Sequence, residues 1–135
     1  MDLNNYMVQH NRIREELEII KSLCKKGNLE QTASEIALHI SALAGKLNIH
    51  LSSEDQYLYP ALIKSSDSSL VAMAGDYQKE MGNLLALFTK FKEKYNTKLK
   101  ILGEKDRFFG EADQIIKAIE MRMQKEEGGL YLKVK

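Results

Sequence analysis

Hydrophobic residues recur along the chain at steps of three and four residues, which places them on one face of an α-helix. Gly27-Asn28, the polar run 65–69 and Gly128-Gly129 separate or end these stretches, as glycine and small polar residues commonly do at helix ends. Long helices with short connections predict an all-α, up-down-up-down antiparallel four-helix bundle, in one domain over residues 1–135. The predicted helices cover about residues 2–26, 29–59, 69–96 and 104–127.

Three of the predicted inner faces carry polar side chains among the apolar ones. His10 interrupts the first face, His50 and Glu54 lie on the second, and Arg122 and Glu126 lie on the fourth. A carboxylate on an inner face must be paired, hydrogen-bonded or bound to a cation. His50 and Glu54 are four residues apart, so their side chains can reach the same ion. This pattern favours a metal site over a set of isolated core residues.

The depths of these residues in the bundle agree. His10 is near the start of the first helix and His50 is late in the second, so an antiparallel hairpin places them at the same end. Glu126 or Glu127, late in the fourth helix, belongs at that end too, and the sequence leaves open which of the two faces the site. His39 lies ~16 Å along the helix from His50, too far to share an ion, and is assigned to a flank or the surface.

The two halves of the chain repeat each other. The spacing of the first segment recurs in the third, and an acidic pair followed by Leu-Tyr occurs at the end of both the second and the fourth. Glu54 and Glu126 correspond in this alignment, and so do His50 and Arg122. The repeat predicts a duplicated helix hairpin.

Composition narrows the class of protein. The chain has 135 residues and a formal net charge of +1, which gives no reason to expect binding to nucleic acid or to an anionic membrane. Its apolar runs are too short for a transmembrane helix, and no signal-peptide pattern opens the sequence. A single cysteine, Cys24, excludes an internal disulfide. These features predict a cytoplasmic protein.

The His-x-x-x-Glu element at His50 and Glu54 with its Leu58-Tyr59-Pro60 ending, the early His10 and the late Glu126-Glu127 resemble the hemerythrin-like, HHE cation-binding family. The resemblance covers nearly the whole chain and indicates a divergent, bacterial-type member. It implies a four-helix bundle with a non-haem di-iron centre at one end. Members of the family carry or sense dioxygen, or handle iron, nitric oxide or peroxide.

The resemblance also assigns roles to the ligands. It implies that His10 and His50 hold one iron, and that Glu54 with Glu126 or Glu127 bridges to a second.

The second iron of the family requires three histidines, and this chain has none of them. Tyr77, Met81 and Arg122 stand at the corresponding positions. A thioether is a poor ligand for a hard ion, and arginine stays protonated, so neither Met81 nor Arg122 replaces a histidine. The departures favour one ion over a di-iron centre, with the Arg122 charge taking the place of the second.

Three functional hypotheses follow. The first is a non-haem metal-binding protein, with iron first and zinc or manganese next, that senses or binds iron, dioxygen or nitric oxide rather than carrying dioxygen in the standard way. The alternative is a metal-free bundle that acts as an interaction or signalling module with a protein partner. The third is a small oxidative enzyme that uses Tyr77, although the sequence shows no recognisable general base or substrate pocket. The oligomeric state is not determined by the sequence.

Overall fold

The computed structural model describes residues 2–134, and helices account for nearly all of that range. None of these helices combines the length and apolar character needed to cross a lipid bilayer. Because every element of residues 2–134 is helical, the all-helical prediction is confirmed. In chain order the elements are α1 (Asn4–Lys25), α2 (Leu29–Ser53), the π-helical turn π1 (Glu54–Leu58), α3 (Tyr59–Ile63), α4 (Ser68–Tyr95), α5 (Lys98–Gly103), α6 (Lys105–Lys125), the π-helical turn π2 (Glu126–Leu130) and α7 (Tyr131–Val134).

Local chemistry explains where the long helices begin and end. Gly27 follows α1 with φ +70°, a left-handed conformation that glycine adopts without a steric penalty. Asp67 caps α4, since its carboxylate accepts hydrogen bonds from the backbone N–H groups of Ser69 and Leu70. Thr97 caps α5 in the same way through the N–H of Lys100. Between these stops and caps only short connections join one helix to the next.

The four long helices pack into a bundle with two apolar clusters. Helix α1 contacts α2 and α6, and α4 also contacts α2 and α6. The larger cluster includes Ile13, Leu47 and Ile119, whereas the smaller one includes Tyr6, Leu58 and Tyr131. Between the two clusters lies a layer of buried residues, to which each of the long helices contributes. This layer consists of His10, His50, Glu54, Met81, Arg122 and Glu126.

Two π-helical turns follow α2 and α6, at positions that correspond in the predicted repeat. Each begins at a glutamate, Glu54 or Glu126, and the backbone N–H of the tyrosine five residues later bonds to the carbonyl of that glutamate. The predicted second helix over 29–59 is thus interrupted by π1, and the chain continues helically into α3. Pro60, which has no N–H to donate to a preceding carbonyl, lies directly after this interruption of the regular helix, as the second residue of α3.

The inner faces follow the predicted periodicity with two exceptions. By helical period Leu84 and Cys24 also fall on inner faces, but both are only partly buried and pack against the larger cluster. In α1 the buried neighbour of Cys24 is Leu23. The remaining residues of the predicted faces are buried, including the polar ones.

A close approach explains the glycine at position 129. A Cβ atom there would lie 2.5 Å from the hydroxyl of Tyr77, whereas a Cβ at Gly128 would meet nothing within 4 Å. We expect Gly129→Ala to lower the free energy of unfolding by about 1–3 kcal/mol, the usual scale for overpacking. The matched control, Gly128→Ala, should be neutral or stabilising by up to about 1 kcal/mol. Urea denaturation measures both.

The cause can be isolated in the same experiment. In a Tyr77→Phe background the nearest atom to the new Cβ is a ring carbon at 3.8 Å. The penalty of Gly129→Ala should then disappear. A penalty of unchanged size in that background would show that the Tyr77 hydroxyl is not responsible.

Candidate metal centre

Two imidazoles and two carboxylates converge in the buried layer. The residues His10, His50, Glu54 and Glu126 are at most 1% exposed. His10 Nε2 lies 2.9 Å from Glu126 Oε1 and 3.1 Å from His50 Nε2, and His50 Nε2 is 3.4 Å from the same carboxylate oxygen. Glu54 Oε1 is 3.3 Å from His50 Nε2. Donors from α1, α2 and π2 therefore meet around one point, and Glu54 of π1 lies beside them against His50.

The outer nitrogens of both histidines have their own partners. His10 Nδ1 lies 2.6 Å from Glu127 Oε2, which also accepts a hydrogen bond from Arg14, and His50 Nδ1 lies 2.8 Å from Gln9 Oε1. An acceptor opposite Nδ1 places the proton there and leaves Nε2 with its lone pair. Such partners commonly fix the orientation of histidines that bind metals. Glu126 thus faces the cluster, and Glu127 lies behind His10.

This donor set fits a cation. With the Nδ1–H groups donated outward, the Nε2 atoms of His10 and His50 and the Glu126 oxygen point at one another, and either a cation or a shared proton between them satisfies all three. Within the described residues, Glu54 Oε1 and Glu126 Oε2 are buried and accept no well-aligned hydrogen bond; the nearest groups are His50 Nε2, 3.3 Å from the first, and Arg122, 3.6 Å from the second. Buried acceptors of this kind require a positive charge. One donor atom each from His10, His50 and Glu126 lies within 4.8 Å of the other two, a spacing suited to one metal ion.

The electrostatics of the cluster point the same way. Burial lowers the pKa of His50, but hydrogen bonds with Glu126 and Glu54 outweigh it and raise the pKa to about 9. Burial, together with the charge of Glu126, raises the pKa of Glu54. Burial also acts to raise the pKa of Glu126, yet bonds from His10 and His50 hold that pKa below its usual value. The carboxylates of Glu54 and Glu126 therefore stabilise a positive charge at the centre of the cluster.

Tyr131 is a member of the cluster that sequence reasoning missed. Its hydroxyl donates to Glu54 Oε2 at 2.7 Å and lies 3.4 Å from both His10 Nε2 and Glu126 Oε1. Its ring stacks on His10 with centroids 5.5 Å apart. Burial raises the pKa of Tyr131 above its usual range, so the hydroxyl remains a donor. The repeated Leu-Tyr after each acidic pair was the available signal.

The hydrogen bond from Tyr131 holds one oxygen of Glu54 and leaves the other directed at His50. We expect Tyr131→Phe to weaken metal binding by about 10–100-fold, as loss of an outer partner does. Tyr59→Phe is the matched control, since Tyr59 occupies the equivalent place in the first hairpin but its hydroxyl accepts from Arg122. Titration with Co²⁺ followed by visible absorption measures affinity and coordination together. Equal losses in both variants would contradict the assignment.

Arg122 is 6% exposed and lies on the opposite side of Glu126 from the histidines. Its guanidinium is 3.6 Å from Glu126 Oε2 and donates to the Tyr77 carbonyl at 2.7 Å, to the Tyr59 hydroxyl at 3.3 Å and to Glu80 at 3.3 Å. Glu126 thus presents one oxygen to His10 and the other toward Arg122. The carboxylate connects the histidine cluster to a fixed positive charge.

Tyr77 and Met81 correspond to ligand positions of the second iron in the resembled family. Neither reaches the cluster with a polar atom. The Tyr77 hydroxyl donates to the carbonyl of Lys125, where π2 begins, and its ring lies against the Arg122 guanidinium with 4.7 Å between guanidinium carbon and ring centroid. Met81 is buried in the same layer and offers only a thioether.

His39 lies apart, on the interface between α1 and α2. Its Nδ1 is 2.7 Å from Glu16, whose second oxygen accepts from Lys46 at 2.8 Å. Burial acts to raise the Glu16 pKa, but the bonds from Lys46 and His39 outweigh it and lower the pKa. This group is an ion-pair network between two helices, separate from the cluster.

Comparison with known proteins bears on the same residues. No curated protein and no solved structure matches the chain significantly. The hemerythrin HHE cation-binding domain matches residues 1–134, essentially the entire sequence. A match of this extent, on a helical bundle with converging histidine and glutamate side chains, shows that the chain belongs to the hemerythrin HHE cation-binding domain family.

Proposed function

We propose that this protein binds a single iron ion through His10, His50, Glu54 and Glu126, with its long helices in up-down-up-down order. The observation that carries the proposal is the convergence of two imidazole nitrogens and the Glu126 oxygen. Two histidines with a carboxylate form the donor set of many mononuclear non-haem iron sites. Zinc and manganese accept similar donors and are the competing ions.

The protein's own residues determine how the ion would be held. Glu127 and Gln9 orient the two imidazoles, and Tyr131 orients Glu54. Iron held by these donors would supply a redox-active ion able to interact with dioxygen or nitric oxide. Arg122 contributes fixed charge where the family's second iron would require histidines. We therefore infer a role in sensing or binding linked to iron, dioxygen or nitric oxide, in the cytoplasm, rather than standard dioxygen carriage.

Elemental analysis tests this function directly. Protein purified without chelators and loaded with Fe²⁺ under anaerobic conditions should contain one iron per chain. Two irons per chain, with the absorption spectrum of a bridged di-iron centre, would contradict the single-ion site. Retention of zinc or manganese in preference to iron would correct the identity of the metal.

A second candidate function is a metal-free interaction or signalling module. It is favoured by the approach of Arg122 to Glu126, because an arginine beside a buried carboxylate can satisfy its charge without an ion. The same elemental analysis distinguishes the two functions, since this module would retain no metal even when it is loaded with excess Fe²⁺.

A further inference from the structure

The four candidate ligands have no surface of their own. Each is at most 1% exposed, so an ion reaches them only by passing other side chains. Two cavities in the described part of the chain are lined by residues that contact the cluster. One, of about 300 Å³, is lined by Asp2, Asn5, Tyr6, Gln9, Ser53 and Tyr57. The other, of about 440 Å³, is lined by Glu80, Leu84, Ala118, Met121, Arg122 and Lys125.

Charge distinguishes the two cavities. Arg122 and Lys125 line the larger one together with a single carboxylate, Glu80, which pairs with both of them, so its lining keeps a net positive charge that opposes the approach of a divalent cation. Every residue that lines the smaller cavity carries a side-chain oxygen, and Asp2 adds a carboxylate. Oxygen atoms are the ligands that hard cations prefer while they are still partly hydrated. The smaller cavity therefore suits the passage of a cation, and the larger one does not.

Only a thin wall separates the smaller cavity from the cluster. Gln9 lines the cavity while its Oε1 accepts from His50 Nδ1 at 2.8 Å and its Nε2 donates to Ser53 Oγ at 3.2 Å. The Tyr6 ring lies edge-on to His50, with centroids 6.2 Å apart. Rotation of the Gln9 side chain would uncover the Nδ1 edge of His50 without any movement of the backbone, and an ion would then have to pass between the His50 and Tyr6 rings to reach Nε2. Rotations of partly exposed side chains are fast, on the ps–ns scale.

We propose that the cavity lined by Asp2, Asn5, Tyr6, Gln9, Ser53 and Tyr57 is the access port for a divalent metal ion. Asp2 attracts the cation, the oxygen-lined walls replace part of its hydration, and Gln9 is the gate. This inference rests on the proposed metal-binding function. The cavity would control the rates at which the metal ion enters and leaves, whereas the four ligands determine the affinity for the ion.

The test is the rate of Co²⁺ uptake by the full chain in a stopped-flow instrument, together with the rate of its removal by a chelator. Ser53→Trp fills the port and should slow both rates by about tenfold, equivalent to about 1.4 kcal/mol on the activation free energy. The dissociation constant should change much less than the two rates, because a port alters neither end state and Ser53 reaches His50 only through Gln9. Met121→Trp, in the larger cavity, is the matched control and should leave both rates unchanged.

A second variant keeps the proposal testable if Ser53→Trp does not fold. Asp2→Asn retains the oxygen that accepts the Asn4 N–H but removes the charge. It should slow uptake several-fold at low ionic strength and lose that difference at high salt. Normal Co²⁺ affinity with unchanged rates in Asp2→Asn, or equal slowing in Ser53→Trp and Met121→Trp, would overturn the port alone. No Co²⁺ binding at equilibrium would overturn the proposed function and the port with it.

Discussion

Replacing His50 with alanine is expected to remove most of the bound metal. The substitution deletes an imidazole whose Nε2 lies within 3.4 Å of His10, Glu54 and Glu126 donor atoms. Loss of a direct donor should exceed the loss of about 10–100-fold typical of outer partners. Metal content after equilibration with Fe²⁺, and the dissociation constant for Co²⁺, measure the effect.

The matched control is His39→Ala on the same helix. This substitution removes one of the two partners of Glu16 and should cost about 0.5–1.5 kcal/mol of stability, the scale of one hydrogen bond. Metal content should stay at the level of the unmodified protein, because His39 contacts none of the four candidate ligands. Equal loss of metal in both variants would show that the site lies elsewhere.

Replacing Arg122 with methionine is expected to destabilise the fold by about 3–5 kcal/mol, the scale for removing one member of a buried ion pair. The variant leaves the outer oxygen of Glu126 without its nearest positive charge, 3.6 Å away in the unmodified protein. Added metal should restore part of the loss, since an ion present at 100 times its dissociation constant contributes about 2.7 kcal/mol. Thermal and urea denaturation with and without Fe²⁺ provide the measurement.

Lys125→Met is the control for this prediction. Lys125 shares with Arg122 both the Glu80 carboxylate and the ring of Tyr77, but it is about half exposed. A solvent-exposed ion pair contributes about 1 kcal/mol or less, so this variant should be only slightly destabilised. An unchanged melting temperature in Arg122→Met would remove the argument that arginine substitutes for a second ion.

A second substitution at the same position, Arg122→His, tests whether a nitrogen ligand can be added there. Position 122 corresponds to position 50 in the repeat, and Glu126 Oε2 lies beside it. A histidine there adds a nitrogen donor next to an unpartnered carboxylate oxygen and should strengthen metal binding. Weaker binding than in Arg122→Met would indicate that the second half of the bundle no longer has the geometry of a metal site.

The sequence by itself determined the helices and most of what they bury. Steps of three and four residues specify a helical face whatever lies opposite it, so Ile13, Ile40 and Ile119 could be assigned to the core before any packing was known. The same periodicity placed His10, His50 and Glu126 inward, and the antiparallel order of a hairpin brought them to one depth. These properties depend on local geometry and chain direction alone.

Tertiary structure decided which atoms meet. Helical periodicity put Glu126 on the inner face, but the sequence still left open whether Glu126 or Glu127 meets the histidines. In the structure the π-helical turn directs Glu126 into the cluster and Glu127 behind His10. That turn adds a residue to the helical repeat, so Tyr131 reaches Glu54, a shift that a regular helical period does not reveal. Likewise, Tyr77 lies on the predicted face, yet its hydroxyl bonds to the Lys125 carbonyl. Hydrogen-bond partners depend on distances between helices, and only packing determines those distances.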